Sequence, residues 1–331
     1  MSVAAQFGAP AVAASRQQLA SRLGFLEALF GGAEVGQLVL WRLADKRSHW
    51  LPLERMEEAA TMATTRDVYL TVALHDQELA LQLAGDADPC RVRGSIDSAV
   101  AIPGLWADVD VYSPAHKRQD LPPSFADARA LVETFPLQPA VIINSGYGLQ
   151  VWWLFKEPWT FQGPEDHARA QQLARRFGAT LQAHAKERGW SIDDTSDLAR
   201  VLRLPGTLNC KLATAVPVEI IEWRPERRHE PSEFEPYLVE VATTAPVNRP
   251  RPPEEWRALA VEGVGQGTRN NSIASLAGHL LRHEVDPFVV LHLLIAWNAA
   301  SCRPPLPEAE VARTVNSIAG RELRRRQAYG F

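Results

Sequence analysis

The sequence predicts a layered domain that mixes helices and strands, α/β or α+β, followed by a small helical bundle. Three observations predict it. Short β-branched and aromatic runs alternate with helical periods up to about residue 240; a proline-rich break follows at 243–255; beyond it only helical periods remain.

Taken in order, Arg16–Phe30 sets Leu19, Leu23, Leu26 and Phe30 at helical spacing and stops at Gly31-Gly32, which predicts an amphipathic helix preceded by a flexible lead over residues 1–15. Strands are predicted at Gln37–Leu43, Val68–Leu74, Gly104–Tyr112, Ala140–Asn144, Leu149–Phe155 and Val216–Trp223, each rich in residues that suit a pleated, half-buried surface. Helices are predicted between them at Ser124–Phe135 and Glu165–Arg188. The break, TTAPVNRPRPPEE, holds four prolines and no hydrophobic period, and reads as a stiff linker. Helices follow at Pro253–Val261, Thr268–Arg282, Pro287–Ala300 and Pro307–Arg325. The expected domains are therefore 1–242 and 256–331, joined by 243–255.

Composition bounds the function. With 46% hydrophobic and 22% charged residues, the 331-residue chain is too apolar for disorder. Its 35 Lys+Arg against 39 Asp+Glu exclude binding to nucleic acid by bulk positive charge. Net charge is −5 over residues 1–110, −1 over 111–250 and +2 over 251–331, so base gathers late in the chain. Cys90, Cys210 and Cys302 lie far apart without a CxxC, which leaves neither a disulfide framework nor a zinc ribbon and points to a reducing, cytoplasmic compartment. There is no 18-residue apolar run, and Met1–Ala14 lacks the basic region of a signal peptide, so no membrane association is expected.

Three stretches can carry chemistry. In Leu105-Trp-Ala-Asp108-Val-Asp110-Val-Tyr112, a strand would place Asp108 and Asp110 on one face, where they repel unless cations sit between them. Carboxylates so paired are the usual holders of divalent ions for phosphoryl or nucleotidyl transfer. In Ala140–Phe155, two apolar runs flank Ser145-Gly146-Tyr147-Gly148, a hairpin turn whose N–H groups can cradle phosphate oxygens. In Ser191–Lys211, Asp193, Asp194 and Asp197 precede Arg200, Arg203 and Lys211. If Asp197–Leu202 is a helical turn, Arg200 and Arg203 share a face and reach one polyphosphate; Pro205-Gly206 then breaks the helix and leaves Thr207, Asn209 and Lys211 extended.

The order of these motifs, DxD, then SGxG between strands, then an acid followed by RVLRLPGTLNCK, resembles the archaeo-eukaryotic primase superfamily, in particular the bifunctional primase-polymerases of plasmids, phages and integrated elements. The resemblance spans about Gly24–Trp223. It implies an α+β, RRM-like catalytic core with a mixed or antiparallel sheet over 1–242. It implies a DNA-dependent primase-polymerase that makes and extends primers on single-stranded DNA from (d)NTPs, with two Mg²⁺ or Mn²⁺ ions. Asp108, Asp110 and a third carboxylate, best matched by Asp193 with Asp194 and Asp197 in reserve, would hold the metals. Ser145, Gly146, Gly148 and Gln150 match the motif that contacts the incoming nucleotide. The family's histidine falls on Gln150, which cannot carry the positive charge of an imidazolium. Arg200, Arg203, Asn209 and Lys211 look like nucleotide or template-phosphate contacts. The segment Gly265–Gly278, with Pro304-Pro305-Leu306 and Glu310-Val311, resembles the helical primase C-terminal domain, which makes Arg269 and Asn270 candidates for template binding and Thr268 a candidate N-cap. Without a GxxxxGK[ST] motif, a separate replicative helicase is the expected partner, alongside the template and the primer strand. The competing expectations are a non-catalytic replication initiator that binds template, and a repair polymerase of the same superfamily.

Overall fold

The computed structural model describes residues 9–62, 66–116, 118–241, 253–265 and 268–329. The chain divides into two compact units, Met1–Ala242 and Thr243–Phe331. Residues 243–252 of the expected linker, and 1–8 of the expected flexible lead, lie outside the described residues.

The first unit is α+β. Its elements, in order, are α1 (Ala9–Phe30), β1 (Gln37–Arg42), β2 (Arg47–Pro52), α2 (Met56–Met62), β3 (Val68–Thr71), β4 (Leu74–His75), α3 (Gln77–Ala84), β5 (Ala99–Asp110), α4 (Phe125–Val132), β6 (Val141–Asn144), β7 (Gly148–Thr160), α5 (Pro164–Glu187), β8 (Val201–Arg203), β9 (Leu208–Asn209), β10 (Val216–Pro217), β11 (Glu219–Trp223), β12 (Arg228–His229) and α6 (Pro231–Phe234). Among the described residues the main sheet runs β11-β6-β7-β5-β4-β1-β3-β8, with β2 beside β1 and β12 beside β7. Its pairings are antiparallel except β12 with β7, so the sheet is mixed.

β7 is the spine of this sheet. Its first half pairs with β6 (Val141↔Trp152 to Asn144↔Leu149), and its second half, at Leu154 and Phe155, pairs with β12 along the same edge. On its other edge it meets β5 from Asp110↔Gly148 back to Gly104↔Leu154, where a bulge absorbs Pro103, a residue without an N–H for the ladder. Because successive strand residues face opposite sides, Trp152 and Trp153 feed two packing layers. Trp153 stacks edge-on with Phe135, just beyond α4, and with Phe177 of α5, at 6.2 and 4.9 Å between ring centroids. Trp152 meets Phe25 of α1 and Trp106 of β5, each at 6.1 Å. Each such fully buried ring contributes on the order of 2–3 kcal/mol. α5 buries Leu173, Ala174, Phe177, Leu181 and Ala185, the stripe that its 3.6-residue period dictates.

Several elements depart from expectation. α1 begins at Ala9 rather than Arg16, so residues 9–15 of the expected lead are helical. β5 starts at Ala99 rather than Gly104. The run Val68–Leu74 splits into β3 and β4, and Val216–Trp223 splits into β10 and β11. The condition of a helical turn over Asp197–Leu202 is met only as far as one turn, closed by the Arg200 N–H on the Asp197 carbonyl at 3.0 Å. Residues 201–203 are instead β8, recruited by antiparallel pairing with β3, and Arg200 lies in the turn before it.

The second unit holds α7 (Pro253–Glu262), β13 (Val264–Gly265), α8 (Arg269–Arg282), α9 (Pro287–Ser301), β14 (Cys302–Arg303) and α10 (Glu308–Tyr329). Its core joins Ile273, Ala277 and Leu281 of α8 with Val290 and Leu294 of α9 and Val311 and Val315 of α10. The buried Asn298 donates from Nδ2 to the Leu306 carbonyl and accepts from the Leu306 N–H, both at 2.9 Å, which pins the chain entering α10. No helix among the described residues is long and apolar enough to cross a membrane.

Candidate active site

The site is built at the end of β5. Asp108 pairs across the ladder with Gln150, and Asp110 with Gly148. Residues two apart in a strand share a face, so the two carboxylates stand together beside the Gln150 side chain. The hairpin allows this close approach because of its glycines. A Cβ on Gly148 would lie 2.6 Å from the Val109 carbonyl oxygen and 2.9 Å from the Asp110 Cα, and Gly146 sits at φ +100° against Val216 and Asn209.

Two loops close around the pair. In the segment after β5, His116 brings its Nδ1 to 3.1 Å from Asp110 Oδ2, and the Lys211 ammonium lies 3.2 Å from the same ring nitrogen. Further along, Arg118 Nη1 donates to Asp193 Oδ1 at 2.7 Å while its other nitrogens hold Asp120. The Ser191–Arg200 loop is tied to its neighbours by the backbone: the Ser191 N–H donates to the Asp120 carbonyl at 2.7 Å, Trp106 Nε1 to the Thr195 carbonyl at 2.7 Å, and the Val72 N–H to the Arg200 carbonyl at 2.9 Å.

The electrostatics record how closely like charges are held. Burial and then the neighbouring Asp110 charge push Asp108 up to about 7, against the pull of Arg200 and Arg203. Burial also raises Asp110, with His116 and Lys211 opposing. Of the three candidate third carboxylates, Asp193 is the one whose charge raises both members of the pair. Asp194 is occupied elsewhere: although burial works against it, the Ser196 hydroxyl and N–H, at 2.6 and 3.0 Å, hold it below the usual range. Asp197 pairs with Arg200 at 2.9 Å.

The other predicted residues fall into two groups. Lys211 acts on Asp110 by charge, and Arg200 acts on Asp108 while its Nη2 donates to the Asp194 carbonyl at 2.7 Å and pairs with Asp197. Arg203 acts on Asp108 by charge, but its guanidinium is taken up by Asp67 at 2.6 Å and by the face of Tyr69, 4.7 Å from the ring centroid. Ser145 spends its hydroxyl on the Gly148 carbonyl at 3.1 Å, and the Gly146 N–H goes to Asn144 Oδ1 at 2.9 Å, so neither is spare for phosphate as the turn stands. Asn209 is structural in part: Nδ2 donates to the Ser145 carbonyl and Oδ1 accepts from the Lys211 N–H, which locks the Lys211 segment to the hairpin. Gln150 is buried, and its Oε1 finds no donor among the described residues. In the second unit, Arg269 donates to the Pro304 carbonyl and Asn270 to Glu310, both at 2.6 Å. Thr268 does not cap α8 with its side chain; its hydroxyl donates to the Gly265 carbonyl.

From the sequence His116 reads as a surface or packing histidine rather than a site residue, and Arg118 and Asp67 give no signal; all three contribute to the site. The first two sit in an aperiodic loop, and Asp67 bridges Arg203 and the Cys210 N–H from a left-handed φ of 51°.

Two hard carboxylate oxygen donors on one strand face, each raised chiefly by burial, fit Mg²⁺ or Mn²⁺. Among the described residues, however, no group of three or more His, Cys, Asp or Glu is arranged to hold a metal, and Asp193 is paired with Arg118.

Residues 257–324 match the model of the family Primase C terminal 1 (PriCT-1), as the resemblance of Gly265–Gly278 implied. Among solved structures, the chain is similar to the AEP domain of the primase-polymerase (PrimPol) of cyanophage S-2L, with 17% identity over 68% of this chain and 98% of that one and a TM-score of 0.41. It is also similar to the crystal structure of primase RepB′, with 13% identity over 95% of this chain and 99% of that one and a TM-score of 0.36. No curated protein matches the chain.

Proposed function

We propose that the Met1–Ala242 unit is a DNA-dependent primase-polymerase that joins nucleotides on single-stranded DNA in the replication of a plasmid, phage or integrated element. The observation that carries it is the Asp108–Asp110 pair on one face of β5, ringed by the cations of Lys211 and Arg200. The primase C-terminal match over residues 257–324 of the second unit supports the same reading.

In this reading Asp108 and Asp110 hold Mg²⁺ or Mn²⁺, and Asp193 joins them on leaving Arg118. A divalent ion bound there supplies positive charge to phosphate oxygens and favours a deprotonated nucleophile. The chain does the rest by position and charge. Lys211 and Arg200 draw the triphosphate to the carboxylates, Asn209 keeps Lys211 against the hairpin, and the Gln150 amide stands beside Asp108 as a polar contact for the nucleotide. A binding-only initiator is the second reading, favoured by the pairing of Asp193 with Arg118. The test is incubation of the full chain with a single-stranded DNA template, labelled nucleotides and Mg²⁺ or Mn²⁺. Template-dependent product is expected; its absence with both metals refutes the enzyme and leaves the initiator.

A further inference from the structure

A second feature adjoins the carboxylates. Strands β2, β1, β3 and β8 each contribute one residue to a single cross-strand row, with Ser48 opposite Trp41, Trp41 opposite Tyr69, and Tyr69 opposite Arg203. The Trp41 and Tyr69 rings are 5.5 Å apart. Arg93, from the loop before β5, lies 5.2 Å from the Trp41 centroid, as Arg203 lies 4.7 Å from that of Tyr69. Two neighbouring rings therefore lie between two cations, one guanidinium against each ring, and both rings are partly exposed.

The row leads to the proposed catalytic pair. The Asp108 charge acts on Tyr69, and Arg203 acts on Asp108. Arg200 stands close enough to Arg93 to depress it, after burial. The Nε atoms of Arg93 and Arg200 and the Ser48 hydroxyl, all buried, find no partner among the described residues. Three unsatisfied donors beside partly exposed aromatic edges call for a ligand that brings both acceptor oxygens and flat rings. Four adjacent strands span roughly 14 Å, longer than a single nucleotide needs.

We propose that the Arg93–Trp41–Tyr69–Arg203 row binds an unpaired nucleic-acid strand, bases against Trp41 and Tyr69 and phosphate against Arg93, and delivers it to Asp108 and Asp110. Only an unpaired strand can turn its base faces to the rings, so a duplex is disfavoured. The partner and the delivery rest on the function proposed above; the row itself does not. Arg203, held by Asp67, walls the Tyr69 ring rather than contacting phosphate.

Fluorescence anisotropy of a labelled oligothymidylate and of a matched duplex, with the full chain and without metal or nucleotide, tests the surface. Trp41→Leu should weaken single-strand binding about tenfold with an unchanged salt slope, since stacking is lost and charge is not. Trp41→Phe should restore most of that binding, which separates stacking from a folding defect. Arg93→Gln should weaken binding and lower the salt slope by about 0.7, the share of one phosphate contact on a single strand. Parent-like binding by folded Trp41→Leu and Arg93→Gln, or a duplex bound as tightly as the single strand, overturns the surface. If strand binding depends on these residues but no nucleotide is incorporated, the surface stands and the enzyme falls. If nucleotide is incorporated but the variants bind like the parent, the enzyme stands and the surface falls.

Discussion

Asp108 and Gln150 face each other across the β5–β7 ladder, a carboxyl pushed up to about 7 beside a buried amide whose oxygen has no donor among the described residues. Gln150→His puts an N–H donor, and a positive charge once protonated, where that unsatisfied oxygen stood. Nucleotide affinity, read by isothermal titration with Mn²⁺ present, should hold or rise by a few-fold. A tenfold loss would show that Gln150 is specifically accommodated.

The raised Asp108 makes stability depend on pH. Its folded value of about 7 exceeds the model-peptide value near 3.8, so between those limits the native state binds more protons than the unfolded chain, and stability falls as pH rises. Asp108→Asn removes the penalty. Without divalent ions, the variant should melt above the parent at pH 8, and the gap should shrink at pH 4.5. Mn²⁺ should raise the parent Tm more at pH 8 than at pH 4.5, because it binds the ionised pair. A gap that widens on acidification contradicts the assignment.

Arg118 is more than a third exposed, so its pairing with Asp193 adds at most about 1 kcal/mol to the fold. Arg118→Gln should therefore leave the Tm nearly unchanged while freeing a carboxylate next to the pair. Mn²⁺ affinity, measured by electron paramagnetic resonance of the free ion, should rise several-fold. Weaker binding would mean that Asp193 is not a ligand.

Asp67 and Arg203 form a largely buried pair, and Asp67 also accepts the Cys210 N–H at 3.1 Å. Asp67→Ala leaves a buried guanidinium uncompensated and should cost about 3 kcal/mol, read by urea unfolding. Asp67→Asn keeps an acceptor and tolerates the left-handed φ, so it should cost less. Equal costs would place the effect in the backbone turn rather than in the ion pair.

What could be read in advance was what short-range pattern encodes. Asp108-Val-Asp110 declares a strand face by its period of two, and Ser145–Gly148 declares a hairpin by its glycines; both are where expected. The i, i+3 spacing of Arg200 and Arg203 suits a helix as well as any other turn, whereas the strand at 201–203 is imposed by β3, more than a hundred residues earlier. His116 and Arg118 carry no periodic signal, since they reach the site through a loop tied down by the Asp120 carbonyl. β2 escaped notice as a polar edge strand, RSHWLP, whose pairing with β1 alone makes it regular. Trp41, Tyr69 and Arg93 become neighbours only through cross-strand register and a cation–ring contact, which no local pattern reports.

The central claim is that Asp108 and Asp110 together carry nucleotidyl transfer. Its most direct test compares template-dependent incorporation of labelled nucleotides by the parent chain and by Asp108→Asn/Asp110→Asn, with Mg²⁺ and with Mn²⁺, after a melt has shown both to be folded. Incorporation by the parent and a loss of at least a thousandfold in the double variant, about 4 kcal/mol of transition-state stabilisation, is the predicted result. Incorporation that persists in the folded double variant contradicts it.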